Sequence, residues 1–242
     1  METLTMRWIS VLMLVIAIAA GATTAAIGQE GFARKPEYSL TFLKGKLVRE
    51  TPAPEERLTI DSAVKAGDVL RTGWRSSAKI SSSGMGTSFH ISPRSTVRLA
   101  SDQPGVLLEV QKGRLRAVFD KISEGPSAER IITTPSAILA VRGTEYGVAV
   151  SKAGDTSVVV FSGVVDVTDS GGATPSVSIT AGQFCNIPRG QGPSNPTPHS
   201  MGPGDWDHGQ MPSSMSGHGT NGSMGGHGSG HSHGGGAMGH GG

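Results

Sequence analysis

From Tyr38 to Ile187 the chain keeps one rhythm that few folds can accommodate. Short stretches rich in β-branched and apolar residues recur, among them Phe89-His90-Ile91, Thr96 to Leu99, Leu107 to Val110 and Val158 to Phe161. Gly, Pro, Ser or Asp interrupts them roughly every 8 to 12 residues. Nowhere is an apolar i, i+3, i+4, i+7 spacing sustained over helical length. The pattern excludes a helical bundle and predicts an all-β domain over residues 38–188.

An internal echo refines this expectation. Leu108 to Ala117 can be laid over Val158 to Val167, with Gly113 on Gly163 and apolar residues coinciding around it. A weaker copy runs from Phe42 to Val48 around Gly45, and Val64 to Asp68 echoes Ile179 to Gln183. The glycine-centred copies read as strand, glycine turn, strand, and predict hairpins in which glycine supplies a positive φ. Repeated short hairpins suit a sandwich, a jelly-roll-like barrel or a β-solenoid. The pattern does not choose among the three.

The two ends of the chain differ from this middle. Arg7 precedes an uncharged run from Trp8 to Gly28, and small residues follow its apolar heart. That is the layout of a secretory signal peptide over residues 1–26, with cleavage after Ala22 or Ala26. The competing reading is an uncleaved membrane anchor, because the run is just long enough to span a bilayer. Residues 27–37 read as a polar linker. Much of the chain's large glycine content falls after Pro188, where no strand-like apolar run occurs. A segment with so little to bury cannot offset its conformational entropy, so residues 189–242 are expected to be a disordered tail. Net charge is only +2, with both signs mixed along the middle of the chain, which gives no reason to expect nucleic acid as a partner. Cys185 is the single cysteine, so burial rather than disulfides must hold the fold.

Several strings in the β region resemble one family. Gly67-Asp68-Val69-Leu70-Arg71-Thr72-Gly73 is similar to the opening signature of FecR-type periplasmic domains. Gly86 to Pro93 with Thr96 to Leu99 is similar to the next element, although Met85 stands where an acidic residue is common. Ile132-Thr133-Thr134-Pro135 followed by Ala140 to Tyr146 resembles the family's most distinctive string. Gly163-Val164-Val165 and Ala181-Gly182-Gln183 complete the series in order. The resemblance implies an all-β periplasmic module of bacteria, best known as the sensing half of transmembrane regulators that control a sigma factor. Only seven residues precede the apolar segment, so the expectation is a stand-alone exported member without the cytoplasmic anti-sigma part. A binding or scaffold role toward an envelope protein or polysaccharide is then expected. A signalling component acting with a separate partner is the distant alternative.

Chemistry is sparse in the predicted domain. Its only histidine, His90, alternates with Phe89 and Ile91 and so faces away from them. No set of residues has the spacing of a nucleophile–base pair or a metal site, so no enzyme and no bound cofactor are expected. Gly143-Thr144 carries one specific reading. A Thr hydroxyl can attack the preceding Gly carbonyl, shifting the acyl group to oxygen, and some members of the resembled family are processed at such a bond. Lys112, Arg114 and Arg116 alternate along one strand, which predicts a positive face, either solvated or turned toward an anionic envelope polymer. The tail is the other chemical candidate. His199, His208, His218, His227, His231, His233 and His240 lie there with Met224 and Met238. Imidazole suits Cu(II), Ni and Zn and thioether suits Cu(I), so weak metal binding by these residues is the alternative function.

Overall fold

The computed structural model describes residues 37–51, 53–82, 84, 86–99, 105–120, 130–141 and 143–212. The expected signal peptide, the linker up to residue 36 and the tail beyond residue 212 lie outside the described residues. No helix among the described residues is long and apolar enough to cross a membrane.

The alternating segments form two β-sheets. The first is antiparallel throughout, in the order β4 (Ala63–Val64), β1 (Tyr38–Lys44), β6 (Ser77–Ser82), β7 (Thr87–Ile91), the C-terminal half of β9 (Val106–Phe119), β12 (Glu145–Val150), β13 (Thr156–Ser162), β16 (Gln183–Ile187) and β17 (Thr197–Pro198). The second runs β3 (Glu56–Arg57), β2 (Leu47–Thr51), β5 (Val69–Thr72), β8 (Thr96–Leu99), the N-terminal half of β9, β10 (Arg130–Thr133), β11 (Ala137–Val141), β14 (Val164–Asp169) and β15 (Val177–Thr180). Among the described residues, only the β9–β10 pairing is parallel. β9 belongs to both sheets and joins them.

The fold is all-β with repeated hairpins such as β6–β7, β10–β11, β12–β13 and β14–β15, as the alternation predicts, but the hairpins predicted around Gly45, Gly113 and Gly163 do not form. β9 is one continuous strand that pairs with β8 up to Lys112 and with β12 from Gly113 onward. β13 and β14 lie in different sheets, as do β1 and β2. The echoed glycine therefore marks a corner at which the chain passes from one sheet to the other. Gly113 has φ +92° and a Cβ there would overlap Ser95; Gly163 has φ +80° and a Cβ would overlap Thr144. Positive φ and close backbone approach, both available to glycine, are what the corner requires.

The two halves cross between sheets at opposite ends of the strands. Gly113 pairs with Val150, and Val150 with Thr156, which puts the β9 corner at one end of β13. The Gly163 corner follows Ser162, at the other end, where Ser162 pairs with Glu145. The β1–β2, β5–β6 and β7–β8 corners gather at the Gly113 end, since Ser77 pairs with Lys44 and Ile91 with Leu115.

Between the layers, inward residues of both sheets form one core, including Leu40, Ile80, Phe89, Ile91 and Leu115 against Leu47, Leu70, Val97, Leu108 and Val165. Tyr38, Phe89, Phe119 and Tyr146 run through it with successive ring centroids 5.8–6.1 Å apart. Each such side chain contributes about 1.5–3 kcal/mol by leaving water. The strings that resemble FecR domains stitch this frame together. The Thr72 hydroxyl donates to Ser92 O at 2.7 Å and accepts from Ser95 N at 3.0 Å, tying one corner to the next. Thr134, Ser136 and Thr156 form a buried chain of hydroxyls with links of 2.7 Å, ending on Ile187 O.

Order does not stop at residue 188. Residues 189–212 continue as a strap that adds β17 and a one-turn helix, α1 (Pro203–Asp207), over the outer face of the first sheet. The expected boundary is therefore too early. A single residue explains the difference: Trp206 is wholly buried, packed with Ala149, Val159, Phe184, Phe161 and Met201 in a second small core. Its indole N–H donates to Leu115 O at 3.2 Å, and its ring lies against Gly147, where a Cβ would overlap it.

Candidate binding cleft

β7 and the C-terminal half of β9 turn Phe89, Ile91, Leu115 and Ala117 inward, so His90, Arg114 and Arg116 stand on the outer face of the first sheet. His90 is paired directly with Arg116 across the strands. The strap lays Asp207 onto this pair. Arg116 grips Asp207 with two hydrogen bonds of 3.0 and 2.7 Å and gives a third, of 2.7 Å, to Glu145. His90 Nδ1 lies 3.0 Å from Asp207 Oδ1. Burial works against the Arg116 charge, but the carboxylates of Asp207 and Glu145 outweigh it and hold the guanidinium above its ordinary range. Arg114 lies 5.4 Å from the Trp206 ring centroid and donates to Gln210 O at 3.4 Å. Burial lowers its pKa.

The predicted positive face of Lys112, Arg114 and Arg116 is thus split and covered. The Gly113 corner puts Lys112 in the second sheet, and the strap engages the two arginines. The opposite outcome holds at the edge of the same strap. There a cleft of about 330 Å³ opens, lined by Lys44, Arg75, Ser77, His90, Ser92, Pro93 and Asp207. Its walls are the end of β1, the β5–β6 corner and the β7–β8 corner, all gathered at the Gly113 end of the strands. Among the described residues, Lys44, Arg75 and Arg94 form no ion pair. Arg75 and Arg94 each place a guanidinium 5.2 Å from the ring centroid of Trp74, which is 69% exposed. The Ser92 side chain is buried, yet its Oγ has no hydrogen-bond partner.

Of the histidines and methionines expected to bind metal, the strap contains His199 and His208. His199 is part of the fold: Nδ1 accepts from Met201 N at 3.0 Å, so Nε2 carries the proton and donates to Val160 O at 3.2 Å. His208 Nδ1 donates to Gly204 O at 2.7 Å from an exposed position. His218, His227, His231, His233, His240, Met224 and Met238 lie outside the described residues. Gly143 and Thr144 precede β12. Gly143 has φ +58°, and Thr144 is buried with its Oγ1 lacking a hydrogen-bond partner. The Thr144 carbonyl accepts from Phe119 N at 2.9 Å, which fixes the backbone there. Cys185 is buried, and its burial pushes the thiol pKa up, as suits a packed strand residue.

With this geometry in view, the comparisons place the chain. The family described as FecR protein matches residues 68–166, which run from the end of the β4–β5 turn into β14. The chain therefore carries a FecR-like domain. Two crystal structures, each described as a "putative anti-sigma factor" from Parabacteroides distasonis, are similar to it. One is 14% identical with a TM-score of 0.42, the alignment covering 52% of this chain and 59% of that one. The other is 15% identical with a TM-score of 0.37, covering 55% and 57% respectively. This chain thus spans less than two thirds of either. No curated protein matches the chain.

Proposed function

Taking the FecR-like domain as premise, we propose that this is a non-enzymatic, exported protein of the bacterial envelope whose β domain acts as a binding or scaffold module. The observation that carries the reading is a division of labour among charged residues. Among the titratable groups that converge, Arg116, Glu145 and Asp207 bind one another and fix the strap, with His90 Nδ1 3.0 Å from Asp207 Oδ1 at the rim of the cleft. The cations left over face an open cleft. Carboxylates tied to Arg116 support recognition rather than turnover, since acid–base chemistry needs a group free to exchange a proton with substrate. Fractionation of a bacterium producing the full chain tests export. The mature protein belongs in the periplasmic fraction with the mass left by cleavage after Ala22 or Ala26, and recovery from the cytoplasm alone would overturn the reading.

The clustering of His227, His231 and His233 favours a second reading, weak binding of Cu, Ni or Zn by the tail. His199 drops out of that ligand set because the fold occupies both its nitrogens. Calorimetric titration of the full chain and of a chain ending at Pro212 with Cu(II) separates the two. Equal uptake by both would remove the tail from the account.

A further inference from the structure

The cleft at the Gly113 end has three properties that folding alone leaves unexplained. First, it concentrates positive charge. Lys44 and Arg75 line it, and Arg94 shares the Trp74 ring with Arg75. Like charges held on one surface repel, and no described carboxylate pairs with these three; Asp207, which also lines the cleft, is gripped by Arg116. Second, Arg75 and Arg94 both sit at φ +58°, a conformation that glycine or asparagine adopts at less cost. Strained backbone retained under a long cationic side chain is a pointer to use of that side chain. Third, Ser92 is only 2% exposed and its Oγ has no partner, although it lines the cleft. A buried hydroxyl without a hydrogen bond is costly, and turning the Ser92 side chain toward a ligand in the cleft would relieve it.

The same surface says what kind of anion fits. A volume of about 330 Å³ lies at the lower limit of small-molecule pockets, room for one sugar ring with its charged substituent. Guanidinium and ammonium donors suit a carboxylate or phosphate. Ser77, Ser92 and His90 in the remaining lining offer donors and acceptors for ring hydroxyls. Trp74 is amphipathic and broadly exposed, a surface on which a sugar can lie. A peptide is less well served: β6 and β7 are hydrogen-bonded on both sides, and β1, bonded on its outer side as far as Leu40, leaves only the short edge from Thr41 to Lys44 for strand addition.

We propose that this cleft binds an acidic saccharide, with Lys44 and Arg75 holding the carboxylate or phosphate, Ser92 Oγ hydrogen-bonding to the sugar and Trp74 flanking it. The inference rests on the binding reading above and narrows it to a ligand class.

Isothermal titration of the full chain tests it, with trigalacturonate, its fully methyl-esterified form, glucose 6-phosphate, inorganic phosphate, a hexaglutamate peptide and phosphatidylglycerol vesicles as probes. Trigalacturonate or glucose 6-phosphate is expected to bind, the tighter of the two identifying the anionic group. The esterified sugar should bind at least tenfold more weakly. Arg75→Ala and Lys44→Ala should each weaken binding about tenfold with an unchanged melting temperature. Ser92→Ala should weaken binding several-fold without lowering the melting temperature, because it removes a hydroxyl that the protein itself leaves unpartnered. Failure of both acidic sugars to bind, or unaltered binding in Arg75→Ala, would overturn the inference. So would phosphate, the peptide or the vesicles binding as tightly as the saccharide. An exported protein that ignores every saccharide would sink this inference alone and leave the broader binding reading standing.

Discussion

Two tryptophan–arginine groupings lie within this domain, and they have opposite fates. Under the strap, Trp206 is wholly buried, Arg114 lies against its ring, and Arg116 is saturated by Asp207 and Glu145. At the corners, Trp74 is 69% exposed beside Arg75 and Arg94, and neither arginine has a described counter-ion. The residue types are alike; what differs is whether the chain supplies the complement itself. The strap answers one grouping from within and leaves the other open to solvent, which separates a structural use of the pair from a recognition use.

The largest effect that could break this comparison is expected at Trp206. Trp206→Ala removes the centre of the second core and should cost about 3–5 kcal/mol, read by denaturant unfolding of the full chain. Retention of full stability would mean that the strap is not bound as described. Gly147→Ala attacks the same contact from the sheet side. A Cβ there overlaps the indole, so a loss of about 1–3 kcal/mol is expected, with a red shift of Trp206 fluorescence as the ring gains water. Asp207→Asn sharpens the electrostatic half of the contrast. It weakens the two-fold grip of Arg116, and because the pair is partly exposed the expected cost is only about 1–2 kcal/mol by the same measurement. Arg75→Ala should be the smallest, within about 0.5 kcal/mol of the parent in thermal unfolding, because nothing described depends on that guanidinium for its folding. A large loss there would assign Arg75 to the fold and dissolve the distinction.

The β class was legible in the sequence because alternation is a local property: Phe89 and Ile91 point inward and His90 outward whatever the topology. The pairing of the strands around the echoed glycines was not. Strand–glycine–strand states that the chain turns at Gly113 or Gly163, but not whether the flanking strands pair with each other or with strands brought from elsewhere. That choice is made by long-range packing. The strap was hidden for a related reason. One Trp among Gly, Pro, Ser and His carries no periodicity, yet burying it against Gly147 is enough to dock the segment. The histidines shared this fate, with His199 looking like a ligand and serving as a hydrogen-bonded strut. The cleft was the least legible feature, because Lys44, Arg75, Ser92 and Asp207 are far apart in sequence and meet only once the corners stack.

β9 pairs with β7 and β8 on one side and with β10 and β12 on the other, and no other described strand pairs with both halves. Emerging into solution from its N-terminus, the chain must therefore expose the backbone edges of β7 and β8 until residue 119 has arrived. Unpaired edges recruit neighbouring molecules into aggregates. A nascent or truncated product ending before β9 would be the sticky species, and a chaperone that shields edges would be needed most during that interval.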